Sequence, residues 1–282
     1  MKATQGNEGK LKVMFDEDNY QMYLDLCRAS GLPYTVTRSN YTLDIESKFC
    51  SIYFMTNVMS KKSFWVGAMV KKDIIDSKTV QPVIDKHDLK YFAFNIAKVL
   101  HDNSGTEIYN IDIKSAYANA LNNNKLLTPK TFNFLCTLAK KDRLAAIGML
   151  ASKKDIFTYD CQDNCIGHDK LIKDTESWFY FCVKEIQDVM QECQKEIGSD
   201  FLFYWVDGIF YRNAENKKII TDILTARGYN YSYDVCADFL YYENINTKYL
   251  SFKKDGKQKI MHLPKLNKEV ETYLLKHLKL IK

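Results

Sequence analysis

The segment that most limits how this chain can fold is FLFYWVDGIFYR, residues 201–212. It is apolar and aromatic almost throughout, which is typical of two buried strands, and the Asp207-Gly208 pair predicts a tight turn between them. A carboxylate in such a run is costly to bury unless a cation meets it. The simpler interpretation is that Asp207 only favours the turn. Both interpretations predict an antiparallel hairpin at the centre of the fold.

A second strand with a terminal carboxylate precedes this hairpin. EIYNID (107–112) is predicted to be a strand that ends on Asp112, and a helix is predicted to begin at Ser115. Further helices are expected over 131–140, continuing through 144–150, over 175–197 and over 216–228, with a polar loop over 160–168 and strands in YSYDVCADFLYY and TKYLSFK. This order predicts helices on one face of a mostly antiparallel sheet, an α+β architecture.

The residues ahead of position 105 show a separate pattern that is rich in β-branched and aromatic residues. We expect a tail over 1–10, a strand over 11–15, a helix over 16–30, strands within 34–70 that include SFWVGAMV (63–70), and a helix over 88–101. Residues 1–104 are therefore predicted to form a small α+β region, for which the sequence indicates no role.

Composition places the chain among globular proteins. With 46% hydrophobic and 27% charged residues, 4 Pro and 11 Gly, a collagen-like, disordered or low-complexity chain is excluded. No apolar run approaches the roughly 18–20 residues that span a bilayer, and the polar N-terminus lacks the apolar stretch of a secretory signal. The 8 Cys are scattered along the chain, as reduced thiols are. We therefore expect a soluble cytoplasmic protein without a membrane partner.

Basic residues are concentrated in two segments. Residues 125–154 carry seven basic side chains and one acid, and residues 248–282 carry ten Lys and three acids, although the whole chain has a net charge of only +5. Basic segments on an acidic background indicate localised contacts with anions such as phosphates. Two solvated Lys-rich helices would give the same pattern.

Several segments together resemble a known family. The run Asp112-Ile-Lys-Ser115-Ala-Tyr117 is similar to the first palm motif of family B DNA polymerases, Asp-x-x-Ser-Leu-Tyr. FYWVDGIFY (203–211) resembles their Tyr-x-Asp-Thr-Asp-Ser hairpin, with Asp207 as the second aspartate. Trp205 then replaces the first aspartate of that hairpin, and Gly208 replaces its serine.

Two weaker similarities follow the same order along the chain. KKDRLAAIG (140–148) resembles the fingers-helix pattern Lys-x3-Asn-x2-Tyr-Gly, keeping Lys140 and Gly148 but not the Asn and Tyr. NTKYLSF (246–252) is similar to the Lys-x-Tyr primer-strand segment of the family. The resemblance covers about residues 105–260 and nothing ahead of them.

The resemblance implies a nucleotidyltransferase that adds dNTPs to a primer 3′-hydroxyl. Asp112 and Asp207 would be the catalytic pair that holds Mg²⁺ or Mn²⁺. The substrate-binding residues would be Ser115, Tyr117, Lys140, Arg143 and Gly148, with Tyr117 as the steric gate under the sugar and the two bases on the triphosphate. The residues in contact with nucleic acid would be Lys153, Lys154, Lys248 and Tyr249. The implied partners are a DNA primer–template, dNTPs and other replication proteins.

The family resemblance also implies a domain plan. Residues 105–262 would form the palm, with a short fingers insertion at about 119–155, and the basic helix expected over 263–282 would be a rudimentary thumb. Residues 1–104 are too few for the usual 3′–5′ exonuclease, and Asp44-Ile-Glu46 imitates its first motif only by chance. A palm of this minimal kind is expected in a phage or mobile element, and in the host cytoplasm if a phage encodes it.

Other functions fit the same residues. A primase or a terminal nucleotidyltransferase would use the same aspartates. A palm that has lost its chemistry and serves as a nucleic-acid-binding or structural module is favoured by Trp205 in place of an acid. Separately, Cys161, Cys165 and His168 could supply three zinc ligands, although a fourth ligand is not evident.

Overall fold

The fold is described from a computed structural model, which covers residues 11–39, 42–48, 51–55, 61–244 and 248–262. The chain divides into two compact units, each made of two chain segments. Unit 1 comprises Met1–His87 and Ala120–Cys182, and unit 2 comprises Asp88–Asn119 and Val183–Lys282. Each unit contains one sheet and several helices, so the predicted α+β class is confirmed. The basic helix expected over 263–282 lies outside the described residues.

The described residues form thirteen strands and eight α-helices. The strands are β1 (Leu11–Met14), β2 (Tyr34–Ser39), β3 (Thr42–Ser47), β4 (Ser51–Met55), β5 (Phe92–Phe94), β6 (Ile108–Ile113), β7 (Lys154–Tyr159), β8 (Cys165–Leu171), β9 (Phe201–Trp205), β10 (Gly208–Tyr211), β11 (Tyr231–Glu243), β12 (Lys248–Lys254) and β13 (Lys257–His262). The helices are α1 (Glu17–Ala29), α2 (Lys61–Asp76), α3 (Ala97–Asp102), α4 (Ala116–Asn123), α5 (Pro129–Thr137), α6 (Lys140–Gly148), α7 (Glu176–Ile197) and α8 (Asn216–Ala226).

The sheet of unit 1 has the strand order β1-β4-β3-β2-β7-β8. Its pairs are antiparallel except for β1 and β4, which run parallel. Helix α1 packs Tyr20, Leu24 and Cys27 into an apolar cluster with strand residues such as Ile45 and Phe54. Residues 1–87 of the predicted N-terminal region (1–104) and nearly all of the predicted fingers insertion (119–155) fall in unit 1, whereas residues 88–104 fall in unit 2.

The segment 63–70 is a helix, and its prediction as a strand was wrong. It lies in α2, where Ser63, Val66, Val70 and Ile74 are buried at helical spacing. Trp65 is half exposed and meets the ring of Phe134 edge-on. Phe64 and Trp65 are both about half exposed, so the helix carries large aromatic side chains outside its buried stripe, and in sequence this composition is typical of a strand.

Three other element predictions were also wrong. The helix expected over 88–101 is β5 followed by α3, and the single helix expected through 131–150 is broken into α5 and α6 at Leu138, whose ψ of 145° is extended. The loop expected over 160–168 is the turn and second strand of the β7–β8 hairpin. β8 lies at the sheet edge and is exposed along most of its length, so its polar residues resemble a loop in sequence.

Unit 2 contains an entirely antiparallel sheet of seven strands in the order β13-β12-β11-β6-β10-β9-β5. Two helices cover one face, which includes Ile111. Lys217 of α8 lies 3.9 Å from the ring centroid of Tyr233, which pairs with Ile111. The Tyr204 hydroxyl on the same face meets Gln191 of α7.

The opposite face of this sheet carries an aromatic core. Phe203 and Phe210 stack with ring centroids 4.2 Å apart, and Phe252 packs beside them. Leu100 of the short helix α3 closes one part of this cluster. Register places Asp112 and Gly208 on the same face, away from α7 and α8.

In the part of the chain that the structure describes, none of the helices has both the length and the apolar character needed to cross a membrane.

Candidate active site

The backbone positions of the two predicted aspartates are adjacent at the β9–β10 hairpin. Gly208, at the start of β10, pairs directly with Asp112 of β6. The backbone N–H of Ile113 donates to the carbonyl of Asp207 at 2.8 Å. The turn itself is Val206-Asp207 rather than Asp207-Gly208, because Trp205 and Gly208 are the last paired residues. The hairpin prediction is confirmed, and its turn lies beside the end of β6.

Gly208 leaves the space that the Asp112 carboxylate occupies. A Cβ atom built on Gly208 would lie 2.2 Å from Asp112 Oδ1 and 3.4 Å from Asn110 Nδ2. Any side chain at this position would therefore force the carboxylate to move. The resemblance puts Gly208 where the polymerase family has serine, and this contact gives the glycine a physical reason.

Two residues with unfavourable backbone conformations flank the aspartates. Val206, in the turn, has φ 54°, and Ser115, just after β6, has φ 53°. A positive φ is uncommon outside glycine and is costly for a β-branched side chain. Hydrogen bonds hold both in place: the Val206 N–H donates to the Tyr91 carbonyl at 2.6 Å, and the Ser115 carbonyl accepts from the Asn119 N–H at 3.0 Å. Such strain is concentrated at functional sites.

A lysine that the motifs did not indicate lies at the centre of the site. Lys254 Nζ lies 3.0 Å from Asp112 Oδ2, 2.7 Å from Asp234 Oδ2 and 3.1 Å from Asn110 Oδ1. The side chains of Lys254 and Asp234 are only 22% and 21% exposed. Burial by itself would lower the pKa of Lys254, but its bonds to Asp234 and Asp112 outweigh burial and hold that pKa above its ordinary value.

Asn110 forms the floor of this cluster. It is fully buried, and its Nδ2 donates to the carbonyl of Ile209 at 3.3 Å while its Oδ1 accepts from Lys254. Asn110 pairs across the sheet with Asp234. Alternate residues of a strand share a face, so the polar groups of β6 and β11 lie together. Sequence reasoning missed Asp234 and Lys254, and alternation of polar residues in YSYDVC was the one available signal.

The carboxylates present suit a hard divalent cation. Asp112 and Asp207 offer oxygen ligands, and Mg²⁺ is usually held by one or two carboxylates together with water and substrate phosphates. The side chain of Asp112 is 37% exposed, so an ion in solution can reach it. Among the residues that the structure describes, no group of three His, Cys, Asp or Glu is placed to hold a metal ion.

The other residues of the first motif start helix α4. Ser115 immediately precedes α4, and Tyr117 lies in its first turn. Both side chains are half-buried. The carboxamide of Asn119 donates to the carbonyl of Lys114 at 2.7 Å, which fixes the helix start against the end of β6. Asp112, Ser115 and Tyr117 therefore lie along the short segment in which the chain passes from the end of β6 to the first turn of α4.

Lys248 and Tyr249 lie at the other end of β12 from Lys254. Lys248 forms an ion pair with Glu243, and Tyr249 stacks on Tyr242 at 5.0 Å between ring centroids. β12 is 7 residues long, which corresponds to about 20 Å at roughly 3.3 Å per residue. The lysine that contacts Asp112 is thus Lys254, and the one predicted from the Lys-x-Tyr similarity is remote from it.

The basic residues of the fingers-like segment belong to unit 1. Lys140 begins α6 and is exposed, whereas Arg143 is half-buried and donates to the Leu138 carbonyl at 3.2 Å. Gly148 ends that helix. Lys153 pairs with Glu176 at 3.1 Å, and Lys154 begins β7. Lys140 and Arg143 share the first turn of one helix, as predicted.

The structure does not gather the three candidate zinc ligands around one point. Cys165 Sγ lies 3.5 Å from the Gly167 carbonyl, and His168 Nε2 lies 3.0 Å from Asp155 Oδ1. The His168 ring also stacks on Phe157 at 4.5 Å. Cys161 is exposed in the turn. In this hairpin His168 is a strand residue with a carboxylate partner.

Comparison with known proteins adds no relative. No family model matches the chain, and no curated protein matches it.

Proposed function

We propose that the chain is a nucleotidyltransferase of minimal family B DNA polymerase type, which adds dNTPs to a primer 3′-hydroxyl with Mg²⁺ or Mn²⁺. The single observation that carries the proposal is the pairing of Gly208 with Asp112, which puts the Asp207 turn beside the Asp112 carboxylate. The sheet face that holds them is opposite the face covered by α7 and α8. On that face the Asp112 side chain is 37% exposed and so is accessible to a substrate.

In this mechanism Asp112 and Asp207 hold the cation. When bound there, Mg²⁺ would lower the pKa of the 3′-hydroxyl and neutralise charge on the triphosphate and pyrophosphate. The protein supplies positioning and charge, and the strained residues Val206 and Ser115 fix the two aspartates in place. Tyr117 would limit access of a 2′-hydroxyl, and Lys140 and Arg143 would bind phosphates.

Trp205 gives the site an apolar wall where the polymerase family has an acid. It pairs with Gly208 across the hairpin, so it lies in the same cross-strand row as Asp112. Its ring stacks on Phe92 with centroids 5.3 Å apart. We propose that this aromatic pair supports a base or sugar of the substrate, since aromatic faces bind nucleotides with little sequence preference.

The partners that follow from this proposal are a DNA primer–template, dNTPs and other replication proteins. The proposed location is the cytoplasm, or the host cytoplasm for a phage-encoded protein. Basic residues such as Lys153, Lys154 and Lys248 would contact phosphates, which makes binding weaker at high salt.

The proposal is tested by extension of a labelled primer–template with four dNTPs and Mg²⁺ or Mn²⁺. The wild type is compared with Asp112→Asn, Asp207→Asn and, as a matched control, Asp238→Asn. Asp238 is a carboxylate of the same sheet that pairs with Lys253, and its φ of 53° is well tolerated by Asn. Templated extension that is lost in the first two variants and kept in the third supports the proposal.

Other outcomes select another function. Extension that ignores the template indicates a terminal transferase, and synthesis without a primer indicates a primase. A second candidate, a non-catalytic nucleic-acid-binding module, is favoured by one observation: Lys254 already occupies Asp112 Oδ2. DNA binding that is independent of Mg²⁺, with no incorporation on any substrate, would establish it.

A further inference from the structure

Lys254 is fully engaged at the candidate site. A lysine ammonium has three N–H donors, and three acceptors surround this one: Asp234 Oδ2 at 2.7 Å, Asp112 Oδ2 at 3.0 Å and Asn110 Oδ1 at 3.1 Å. They come from two adjacent strands, β6 and β11, while the lysine comes from β12. A lysine in an ordinary surface ion pair has one partner and keeps its side-chain rotation. Three partners fix the Lys254 ammonium, so these residues form a defined cation-binding site.

The backbone holds Lys254 in that place. It ends β12 and pairs with Lys257 across the β12–β13 hairpin. The turn that follows has Asp255 at φ 51° and Gly256 at φ 71°, as a tight two-residue turn requires. The ammonium therefore reaches the cluster from a strand end whose position is fixed by the hairpin. The Lys254 side chain is already ordered before any ligand binds.

The charges of this cluster do not balance. Asp112 and Asp234 bring two negative charges against the one positive charge of Lys254. Oδ2 of Asp112 holds the ammonium, while Oδ1 lies close against Gly208, where a Cβ atom would clash with it. A divalent ion that binds Asp112 meets a positive charge already on that carboxylate, which weakens its binding.

We propose that Lys254 is the resident counter-ion of the metal site and sets its affinity for divalent cations. In the metal-free protein the ammonium neutralises Asp112. When a divalent ion takes Asp112, the ammonium is retained by Asp234 and Asn110, and the N–H donor it releases becomes available to a substrate phosphate. Metal and nucleotide then bind with positive coupling. This inference rests on the proposed function, because it requires that Asp112 binds a metal.

The first test is Mn²⁺ binding to the full chain without nucleotide, measured by the electron paramagnetic resonance signal of free Mn²⁺. Lys254→Met removes the charge and keeps the apolar stem. Lys253→Met is the matched control, because Lys253 neighbours it on β12 but pairs with Asp238. Asp112→Asn identifies the site. We expect Lys254→Met to bind Mn²⁺ about tenfold more tightly, since a like charge a few ångströms away is gone, with Lys253→Met unchanged and binding lost in Asp112→Asn.

The outcomes separate this inference from the proposed function. Equal Mn²⁺ affinity of wild type and Lys254→Met, with Asp112-dependent binding and primer extension intact, overturns the role of Lys254 and leaves the polymerase proposal standing. Absence of Asp112-dependent binding in every variant, together with absence of extension, overturns both.

A measurement on the wild type covers the case in which Lys254→Met does not fold. The ¹⁵N resonance of the Lys254 ammonium is assigned by its absence in Lys254→Arg. We expect it to shift when Mg²⁺ is added and to return with a chelator. A resonance that stays unchanged at saturating Mg²⁺ overturns the inference.

Discussion

Each unit contains a cluster of charged side chains. The two clusters differ in the ratio of carboxylates to basic groups. In unit 1, Asp155 accepts from His168 at 3.0 Å and lies 3.9 Å from Lys170, whose side chain is 61% exposed. In unit 2, Lys254 forms ion pairs with both Asp112 and Asp234, and its side chain is only 22% exposed. Register places Asp155 opposite Lys170 in unit 1 and Asp234 opposite Asn110 in unit 2.

The two clusters differ in their exposure to water and in their net charge. Water screens the Asp155 cluster, which opens onto a cavity of about 430 Å³ lined also by Arg38 and Lys153. That cluster has at least as many bases as acids. The Lys254 cluster is more enclosed and keeps an excess of carboxylate. An enclosed site with excess negative charge favours another cation, whereas a screened site of mixed charge contributes little beyond solubility.

The largest expected effect is on primer extension, when one glycine in each sheet is replaced by alanine. Gly208→Ala puts a Cβ where Asp112 Oδ1 lies, so the carboxylate moves and primer extension should fall about 100-fold. Gly167→Ala on β8 is the matched control, because its Cβ would meet Thr158 at an ordinary 3.5 Å. Steady-state extension rates of the two variants decide this. Equal activity in both would mean that the position of Asp112 does not matter for the reaction.

The next largest effect is expected on stability, when Lys254 or Lys170 is replaced by methionine. Lys254→Met leaves Asp112 and Asp234 facing each other in a partly enclosed site, and the free energy of unfolding should drop by about 1–2 kcal/mol. Lys170→Met removes a screened pair and should change it by less than about 0.5 kcal/mol. Urea unfolding measures both. If Lys170→Met lost more unfolding free energy than Lys254→Met, the unit 1 cluster would be the more stabilising of the two, contrary to this prediction.

The pH dependence of stability gives a smaller effect. The pKa of Lys254 is raised in the folded protein, so its contribution is fully present below its ordinary pKa of 10.5 and is lost as pH rises through the folded value. The difference in unfolding free energy between wild type and Lys254→Met should therefore shrink above that pH. Denaturant melts across the alkaline range would show it, and a difference that grows would contradict the assignment.

The smallest effect is expected at Asp155. Asp155→Asn should alter the free energy of unfolding by less than about 0.5 kcal/mol, because its partners His168 and Lys170 are exposed and remain hydrated. Thermal unfolding checks this. A melting temperature several degrees lower would show that the unit 1 cluster is structural and that exposure is a poor guide here.

The sequence predicted the parts of the site that depend on local pattern. The apolar run 201–212 and the strand that ends on Asp112 were recognised because buried strands and their turns have local signatures. The helix over 63–70 was mistaken for a strand, since Trp65 packs on another helix and local periodicity cannot show that.

The rest of the site depends on register between distant strands. Asp234 and Lys254 join Asp112 only because β11 lies between β6 and β12. Many lysines near the C-terminus look alike in sequence, so the motif similarity selected Lys248, at the opposite end of the strand from Lys254. Pairing order, and not residue type, decides which lysine reaches the carboxylates.

The chain passes between its two units three times, after His87, Asn119 and Cys182. Neither unit can therefore be produced by simple truncation of the gene. Deleting residues 1–104 would remove β1–β4, strip β7 of its partner β2, and take β5 and α3 from the other sheet. Transfer of the candidate catalytic sheet into another protein without unit 1 would require two separate inserts joined by new linkers, and recombination at a single crossover would leave at least one of the two sheets incomplete.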